Sequence, residues 1–292
     1  MIKIYLKICV LFLLFSILYA QSSHEERLRL VHADVLKREV QNNKVIQVVE
    51  GSVEFQQGET VMKCDRATQI LGADWSAFTG NVQIFDKNKT LFADTVYFYP
   101  KQRKEMAVGN VVIITEADTI KAERVTYLEV PDELLAEKQV QIISPEDRTV
   151  IFSGYADYFR TEDYSKIFMN PVLVQFDTLG AEEMRIYGDT LEIFDRGQRS
   201  LIKQNVRIFK KDVRATCQLA EYLRNQGQII LTGSPKAFQS NQEISGDTLW
   251  LYLEKSKLVK ARVIGNALAL SDADTLHKGQ YVNKLSGQII EF

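Results

Sequence analysis

The sequence predicts an all-β fold, a repetitive antiparallel β-jellyroll or β-solenoid of about eight two-strand repeats of roughly 30 residues each. Two short motifs recur along the chain at nearly constant spacing, and the apolar residues around them keep a fixed phase. Short polar segments separate the motifs, as is typical of antiparallel hairpins. Self-similarity at a fixed period indicates that one supersecondary unit is stacked along an array.

The first motif is a small residue followed by an acidic or polar one, and its copies lie 29 to 34 residues apart. Apolar residues mostly lie three positions before the acidic residue and two positions after it, so the buried face changes parity between them. A strand that changes its buried face needs a bulge or a corner. We therefore expect long strands that bend at this pair around a common interior. The predicted structural corners are Asp34, Asp65, Asp94, Glu123, Asp157, Asp189 and Asp247.

The second motif is Gly-Asn-Val-x-Ile, which is clearest at Gly80–Ile84 and Gly109–Ile113. Weaker copies begin at Gly51, Lys138, Asn170, Gln204, Gly233 and Gly265. The positions two before, two after and four after the first residue are apolar in every copy, which predicts a strand with one buried face. The residues predicted to line the interior are Val53, Phe55, Phe78, Val82, Ile84, Val96, Phe98, Val111, Ile113, Val125, Val140, Ile142, Phe168, Val172, Val174, Leu191, Ile202, Val206, Ile208, Leu231 and Leu249. A packed core and a groove for acyl chains both need this inward face, so the pattern leaves the two open.

Residues 1–20 have the pattern of a signal peptide. Lys3 and Lys7 precede the apolar run Ile8–Tyr19, and cleavage is expected after Ala20. The run is shorter than the roughly 20 residues of a membrane-spanning helix, although an uncleaved leader would anchor the chain in the membrane.

Residues 21–29 are predicted to be a polar lead-in, and residues 30–292 the repeat array. Its turns are short and polar, as in Gln56–Glu59 and Asp86–Lys89, which favours hairpins over long crossovers. The pattern stops within a copy at Phe292, which predicts either a fragment or a last strand left to pair with another chain.

Composition and motifs argue against several functions. The formal net charge is −2, which does not suit a nucleic-acid footprint. His24, His32 and His277 lie near the two ends and form no cluster, and no catalytic motif occurs. The acidic residues of the first motif are carboxylates of the kind that acid–base catalysis or calcium binding would need. They occur once in each repeat, however, as a structural feature of the repeat would, and this favours a role at the corners. We expect no catalytic residue, no metal and no cofactor.

Copies such as Gly51–Phe55 and Ala93–Tyr97 with Gly109–Val111 resemble the OstA-like family of lipopolysaccharide transport, which includes LptA, LptC and the periplasmic part of LptD. The resemblance covers roughly residues 30–292 and depends on repetition of short motifs. It implies a twisted β-jellyroll, open at both ends, whose interior holds acyl chains of lipopolysaccharide or lipid A. It also implies that edge strands pair with LptC-like or LptD-like proteins, or with a second copy.

The resulting expectation is a periplasmic protein, not an enzyme, that binds lipopolysaccharide and moves it toward the outer membrane. One alternative is a structural or adhesive β-solenoid with a filled interior. Another is a β-helical enzyme that acts on polysaccharides, which would need convergent carboxylates in a cleft on one face and would usually have shorter, parallel coils. The sequence leaves open the glycolipid, the oligomeric state, and the choice between a shuttle, an anchored form and part of a larger outer-membrane protein.

Overall fold

The structure is a computed structural model that describes residues 28–41, 44–70, 73, 75–254, 257–272 and 282–292. The predicted leader, nearly all of the lead-in, His24 and His277 lie outside the described residues. Contacts divide the described residues into two compact units. The first unit holds residues 28–144 and Tyr155–Thr161, and the second holds Pro145–Gly154 and Glu162–Phe292. The single array over residues 30–292 stays a prediction.

The first unit is an antiparallel succession of strands. They are β1 (Arg29–His32), β2 (Val35–Gln41), β3 (Lys44–Gln57), β4 (Thr60–Ile70), β5 (Ser76–Asp86), β6 (Lys89–Tyr99), β7 (Lys104–Thr115), β8 (Thr119–Leu128) and β9 (Glu133–Ser144). Each strand from β3 to β8 pairs with the next one, while β1 and β2 both pair with β3. Strand β10 (Thr149–Phe159) begins in the second unit and ends in the first.

The second unit continues the antiparallel pattern, but several of its strands are interrupted at the corner. They are β11 (Tyr164–Phe168), β12 (Val172–Phe176), β13 (Glu182–Tyr187), β14 (Thr190–Phe194), β15 (Arg199–Lys210), β16 (Val213–Leu223), β17 (Gln228–Thr232), β18 (Lys236–Gln239), β19 (Gln242–Ser245), β20 (Thr248–Glu254), β21 (Lys257–Asp272) and β22 (Val282–Glu291). Two short strands then share one long neighbour: β13 and β14 pair with β15, and β17 and β18 pair with β16.

The predicted all-β, antiparallel repeat fold is confirmed. The antiparallel pairing also argues against the polysaccharide-active enzyme alternative, because such enzymes usually have parallel coils. Short 3-10 turns occupy four hairpins, at Pro100–Gln102, Arg160–Glu162, Asp195–Gly197 and Arg224–Gln226. Within the described parts of the chain, no helix has the length and apolar character needed to cross a membrane.

Each corner is built by two neighbouring strands. In β7, Gly109 and Asn110 have left-handed backbones, with φ of +79° and +46°, and together they oppose the single residue Asp94 of β6. The side-chain amide of Asn110 donates a hydrogen bond of 3.0 Å to Asp94 Oδ2. Strand β6 changes its buried face at Asp94 as predicted. The left-handed residues of the bulge, however, lie across the ladder in the Gly-Asn step and not in the acidic strand.

This corner contact recurs along the chain. The same donation from a side-chain amide to a corner carboxylate joins Asn81 to Asp65, Gln139 to Glu123, Asn205 to Asp189 and Asn266 to Asp247. At the first corner, the Asp34 backbone N–H donates to Gly51 O at 3.0 Å. Six of the seven predicted corner residues therefore lie opposite a left-handed pair.

The seventh predicted corner, Asp157, is wrong. The left-handed pair of this copy is Met169 and Asn170, and the N–H of Gly154 donates to Met169 O at 3.2 Å. Gly154 therefore occupies the position that Asp94 has opposite Gly109, and Asp157 lies further along β10. In this copy methionine replaces the left-handed glycine and glycine replaces the acidic corner residue, so the sequence was aligned on the nearest small-acidic pair instead.

The same misalignment shifts the predicted lining by one residue. Ladder pairs place Ile167 opposite Leu191, and Leu173 opposite Ile186, so these residues share the inward face. The predicted Phe168, Val172 and Val174 lie on the other face of β11 and β12, although Val174 is buried. The correct inward residues of this copy are Ile167, Pro171 and Leu173.

Gly109→Ala should destabilise the first unit strongly. An alanine there would have to keep a left-handed backbone, at a cost of about 1–2 kcal/mol, and its Cβ would lie 2.9 Å from the Cβ of Asp94. We expect a loss of about 3 kcal/mol or more in the free energy of unfolding, measured by urea denaturation.

Gly180→Ala is the matched control. Gly180 has φ of +83°, but a Cβ there would meet nothing within 4 Å. Its substitution should cost only the backbone strain of about 1–2 kcal/mol. Equal losses for the two variants would contradict the packing of the corner carboxylate against the glycine.

Candidate functional site

The inward side chains of the first unit form rows that cross the strands, each member paired with the next in the ladder. One apolar row is Phe55, Met62, Ile84, Leu91, Ile113, Ile120 and Ile142. On the other side of the corners, a second apolar row is Val49, Ala67, Phe78, Val96, Ala107, Val125 and Ala136. All of these side chains are buried except Phe55, which is half-buried. A continuous apolar surface therefore runs across the unit on both sides of the bend.

The second unit repeats this arrangement. One row is Ile167, Leu191, Ile202, Ala220, Leu231, Leu249, Val263 and Ile290. The row on the other side of the corners is Leu173, Ile186, Ile208, Ala215, Ala237, Ile244, Ala269 and Leu285. Members of both rows belong to one core cluster, so the two halves of the bent strands enclose a shared apolar interior.

Eighteen of the 21 predicted lining residues remain after the register correction. Fifteen of them are buried, and Phe55, Ile202 and Ile208 are half-buried. The sequence thus located the inward face in seven of eight copies. Contact of these side chains with a lipid stays a prediction.

A further row of the first unit differs from the others, and we call it the rim row because it lies nearest the hairpin turns at one end of the strands. Its members are Arg38, Gln47, Gln69, Ser76, Phe98, Glu105, Tyr127 and Leu134. Polar and apolar side chains are mixed along it. For that reason the sequence pattern identified only Phe98 of the rim row and did not identify Glu105.

Glu105 is a carboxyl group inside the apolar interior. It lies between Phe98 and Tyr127 in the rim row, its side chain is 6% exposed, and its Oε2 has no hydrogen-bond partner among the described residues. Burial raises the pKa of Glu105 well above its usual value, and the nearby Glu129 carboxylate raises it further. Burial at this position therefore favours the neutral form of Glu105 over the charged form.

The polar groups around Glu105 are already engaged. The guanidinium of Arg103 is bound to Glu129, and this hydrogen bond lowers the pKa of Glu129. The Tyr127 hydroxyl donates to Asp132 Oδ1 at 2.9 Å, and Arg160 Nη1 donates to the same oxygen at 2.8 Å. Burial raises the pKa of Tyr127 to about 12. These bonds leave Glu105 without a charge partner.

Tyr158 is the second buried polar group without a partner. It lies four residues after the corner residue Gly154, as Phe98 does after Asp94, so it occupies the rim-row position of β10. Its side chain is 2% exposed, and its hydroxyl has no hydrogen-bond partner among the described residues. Burial raises the pKa of Tyr158, and the carboxylate of Asp118 adds to the effect.

One apolar row is uncovered at each of the two terminal strands, whereas Ile290, which ends the other row of the second unit, is buried. Leu36 in β2 is 71% exposed, although its ladder partner Val49 is buried in the first unit. Leu285 in β22, the last member of a row of the second unit, is 58% exposed. Among the described strands, β2 pairs only with β3 and β22 only with β21. Each terminal strand therefore offers both a free backbone edge and inward apolar side chains.

A family model described as LptA/(LptD N-terminal domain) LPS transport protein matches residues 72–257, which is more than half of the chain. The chain belongs to this family. The predicted membership of the OstA-like lipopolysaccharide transport group is confirmed, and the family is one of transport proteins.

Among solved structures, the chain is similar to LptH from Pseudomonas aeruginosa, described as the LptA homologous periplasmic component of the lipopolysaccharide transport device. The sequences are 19% identical, and the match covers 38% of this chain and 82% of LptH with a TM-score of 0.32. No curated protein sequence matches the chain.

In this member of the LptA and LptD family, Glu105 should make stability depend on pH. The raised pKa lets the folded protein hold a proton that the unfolded chain loses above about pH 4.3, so this stability is present below that pH and is lost as the pH rises. Urea unfolding over a pH series should show a steeper decline for the wild type than for Glu105→Gln. Parallel curves for the two proteins would contradict a buried, neutral Glu105.

Proposed function

We propose that the chain is a periplasmic lipopolysaccharide-binding protein that carries acyl chains in its apolar interior toward the outer membrane. The observation that carries the proposal is that an apolar row of each unit ends in an exposed inward side chain, Leu36 of β2 in the first unit and Leu285 of β22 in the second. A core that served only stability would be covered at its ends, since exposed apolar surface is costly and invites association.

Acyl chains have the chemistry that such an interior would favour. Transfer of apolar surface out of water contributes about 25 cal/mol per Å², or about 0.8 kcal/mol for each buried methylene group. Several methylene groups would therefore supply the affinity, while sugars and phosphates stay in water. The inward face contains the 18 predicted lining residues that keep their register, and these are the candidate contacts.

The partners would add to the free strand edges. A strand of an LptC-like or LptD-like protein, or of a second copy, would extend the ladder at β2 or β22 and continue the apolar rows. A cleaved leader would release the chain into the periplasm, and an uncleaved one would hold it at the membrane. The corner carboxylates would keep a structural role, without catalysis and without a metal.

The filled structural solenoid remains the second candidate, and the close burial of the rows favours it. Val53, Val111 and Ile113 are each at most 1% exposed. Lipid entry would therefore require side chains or strands to move apart. Direct contact between lipid and inward residues is the property that separates the two candidates.

A photoreactive residue at position 98 should form a lipid adduct. Phe98 is inward and 7% exposed, and replacement by p-benzoylphenylalanine keeps an aromatic side chain there. After irradiation with lipopolysaccharide, we expect a crosslinked species on a gel that is detected by a lipid A antibody. The yield of the adduct should reach a plateau as the lipopolysaccharide concentration rises, because the binding is saturable.

The control is the same substitution at Tyr97, the preceding residue of β6, which points to the outer face and is half-buried. We expect little or no adduct at position 97. Equal labelling at both positions, in proteins with unchanged circular dichroism, would favour the filled solenoid with lipid adsorbed outside.

Leu285→Lys should weaken edge pairing at β22. The substitution places a charge on the inward face of the terminal strand, where an added strand would bury it. We expect at least about a tenfold loss of affinity for a second copy or an LptD-like partner, measured by analytical ultracentrifugation. Ile289→Lys lies on the outer face of β22 at 56% exposure and should cost much less. The reverse order would show that association uses the outer face.

A further inference from the structure

Two polar groups at rim-row positions of the first unit are buried without a hydrogen-bond partner among the described residues. They are the Oε2 of Glu105 and the hydroxyl of Tyr158. Burial of a polar group without a partner costs about 1–3 kcal/mol, so such groups are rare in proteins that fold well. Two of them at equivalent positions of the repeat require an explanation.

The ladder neighbours of Glu105 offer it no available polar group. The ladder neighbours of Glu105 are Phe98, which has no polar atom, and Tyr127, whose hydroxyl donates to Asp132. These contacts leave the Oε2 of Glu105 without a hydrogen-bond partner among the described residues.

The position of the two groups indicates what they would bind. Glu105 is the second residue of β7, directly after the turn at Pro100–Gln102, and the row beyond it, which includes Ala107 and Val125, is wholly apolar. An amphiphile with its chain along the apolar rows would place the oxygen atoms that join chain to headgroup near this rim. A neutral carboxyl is both donor and acceptor, as is a phenol, and an alcohol complements both.

We infer that Glu105 and Tyr158 recognise a hydroxyl group on the acyl part of the bound glycolipid, and so make the interior selective for hydroxylated chains. The inference rests on the proposed function and goes beyond it, because burial of methylene groups alone does not distinguish one chain from another. Both residues are specificity-determining groups in this scheme, and no bond is made or broken.

The test uses two acylated glucosamines that differ by one hydroxyl, N-(3-hydroxytetradecanoyl)glucosamine and N-tetradecanoylglucosamine. Each displaces a fluorescent fatty-acid probe from the purified chain. One additional hydrogen bond predicts that the wild type prefers the hydroxylated ligand by about fivefold. Tyr158→Phe and Glu105→Met should each reduce that preference to less than about twofold, with binding of the plain chain unchanged.

A second readout separates recognition from structure. Each variant removes an unsatisfied buried group, so the melting temperature without ligand should rise or stay constant while the preference falls. Tyr155→Phe, which removes a hydroxyl from the outer face of β10, is the control and should retain the preference. Tyr158→Phe changes no volume beyond one oxygen, so it keeps the test valid if Glu105→Met fails to fold.

The outcomes are distinct. Equal binding of the two ligands by the wild type, or a preference kept in both variants, overturns the inference and leaves the proposed function intact. Displacement of the probe by neither ligand overturns the proposed function and this inference together. Loss of the preference in Tyr158→Phe but not in Tyr155→Phe supports recognition at the rim row.

Discussion

The packing of a corner carboxylate against a left-handed backbone pair is the constraint on which the rest of the structure depends. At Gly109 the approach of Asp94 leaves no room for a Cβ, and Asn110 secures the carboxylate through its amide. The two-against-one bulge lets the neighbouring acidic strand change its buried face. Without that change, one half of each strand would turn its apolar side chains to solvent. The apolar rows on both sides of the bend therefore depend on a contact made on the outside of the corner.

Repetition of this contact explains why the strands cover one another within each unit and why the terminal strands stay uncovered. Each strand covers inward side chains of the strand before it and presents inward side chains of its own to the next strand. A further strand could therefore be added at either end. Leu36 and Leu285 are exposed because no described strand covers them. The apolar ends and the free backbone edges are thus the same feature, and a partner that satisfied one would satisfy the other.

The fold and most of the inward face could be predicted from the sequence, because corners such as Asp94 with Gly109 require particular residue types. It failed where the residue types changed but the backbone did not. Met169 adopts the left-handed conformation that glycine has in most other copies, and Gly154 lies where most copies have a carboxylate. The sequence pattern was therefore aligned on Ala156 and Asp157, and the predicted lining of β11 and β12 was shifted by one residue as a result. Glu105 could not be found by periodicity, since its column mixes polar and apolar side chains and periodicity reports only what the copies share.

Residues that depart from the repeat bear on function more directly than the apolar residues that all copies share. A filled solenoid and a lipid carrier need the same apolar rows, so Val111 or Ile113 does not distinguish them. Glu105 and Tyr158 do, because a leucine and a phenylalanine would serve a filled interior better than a neutral carboxyl and a phenol without partners. Their cost is tolerated at the rim, where an interior that admits an amphiphile would meet its first oxygen atoms. The buried polar groups that make least sense for stability are thus the ones that favour an interior opened to hold a ligand.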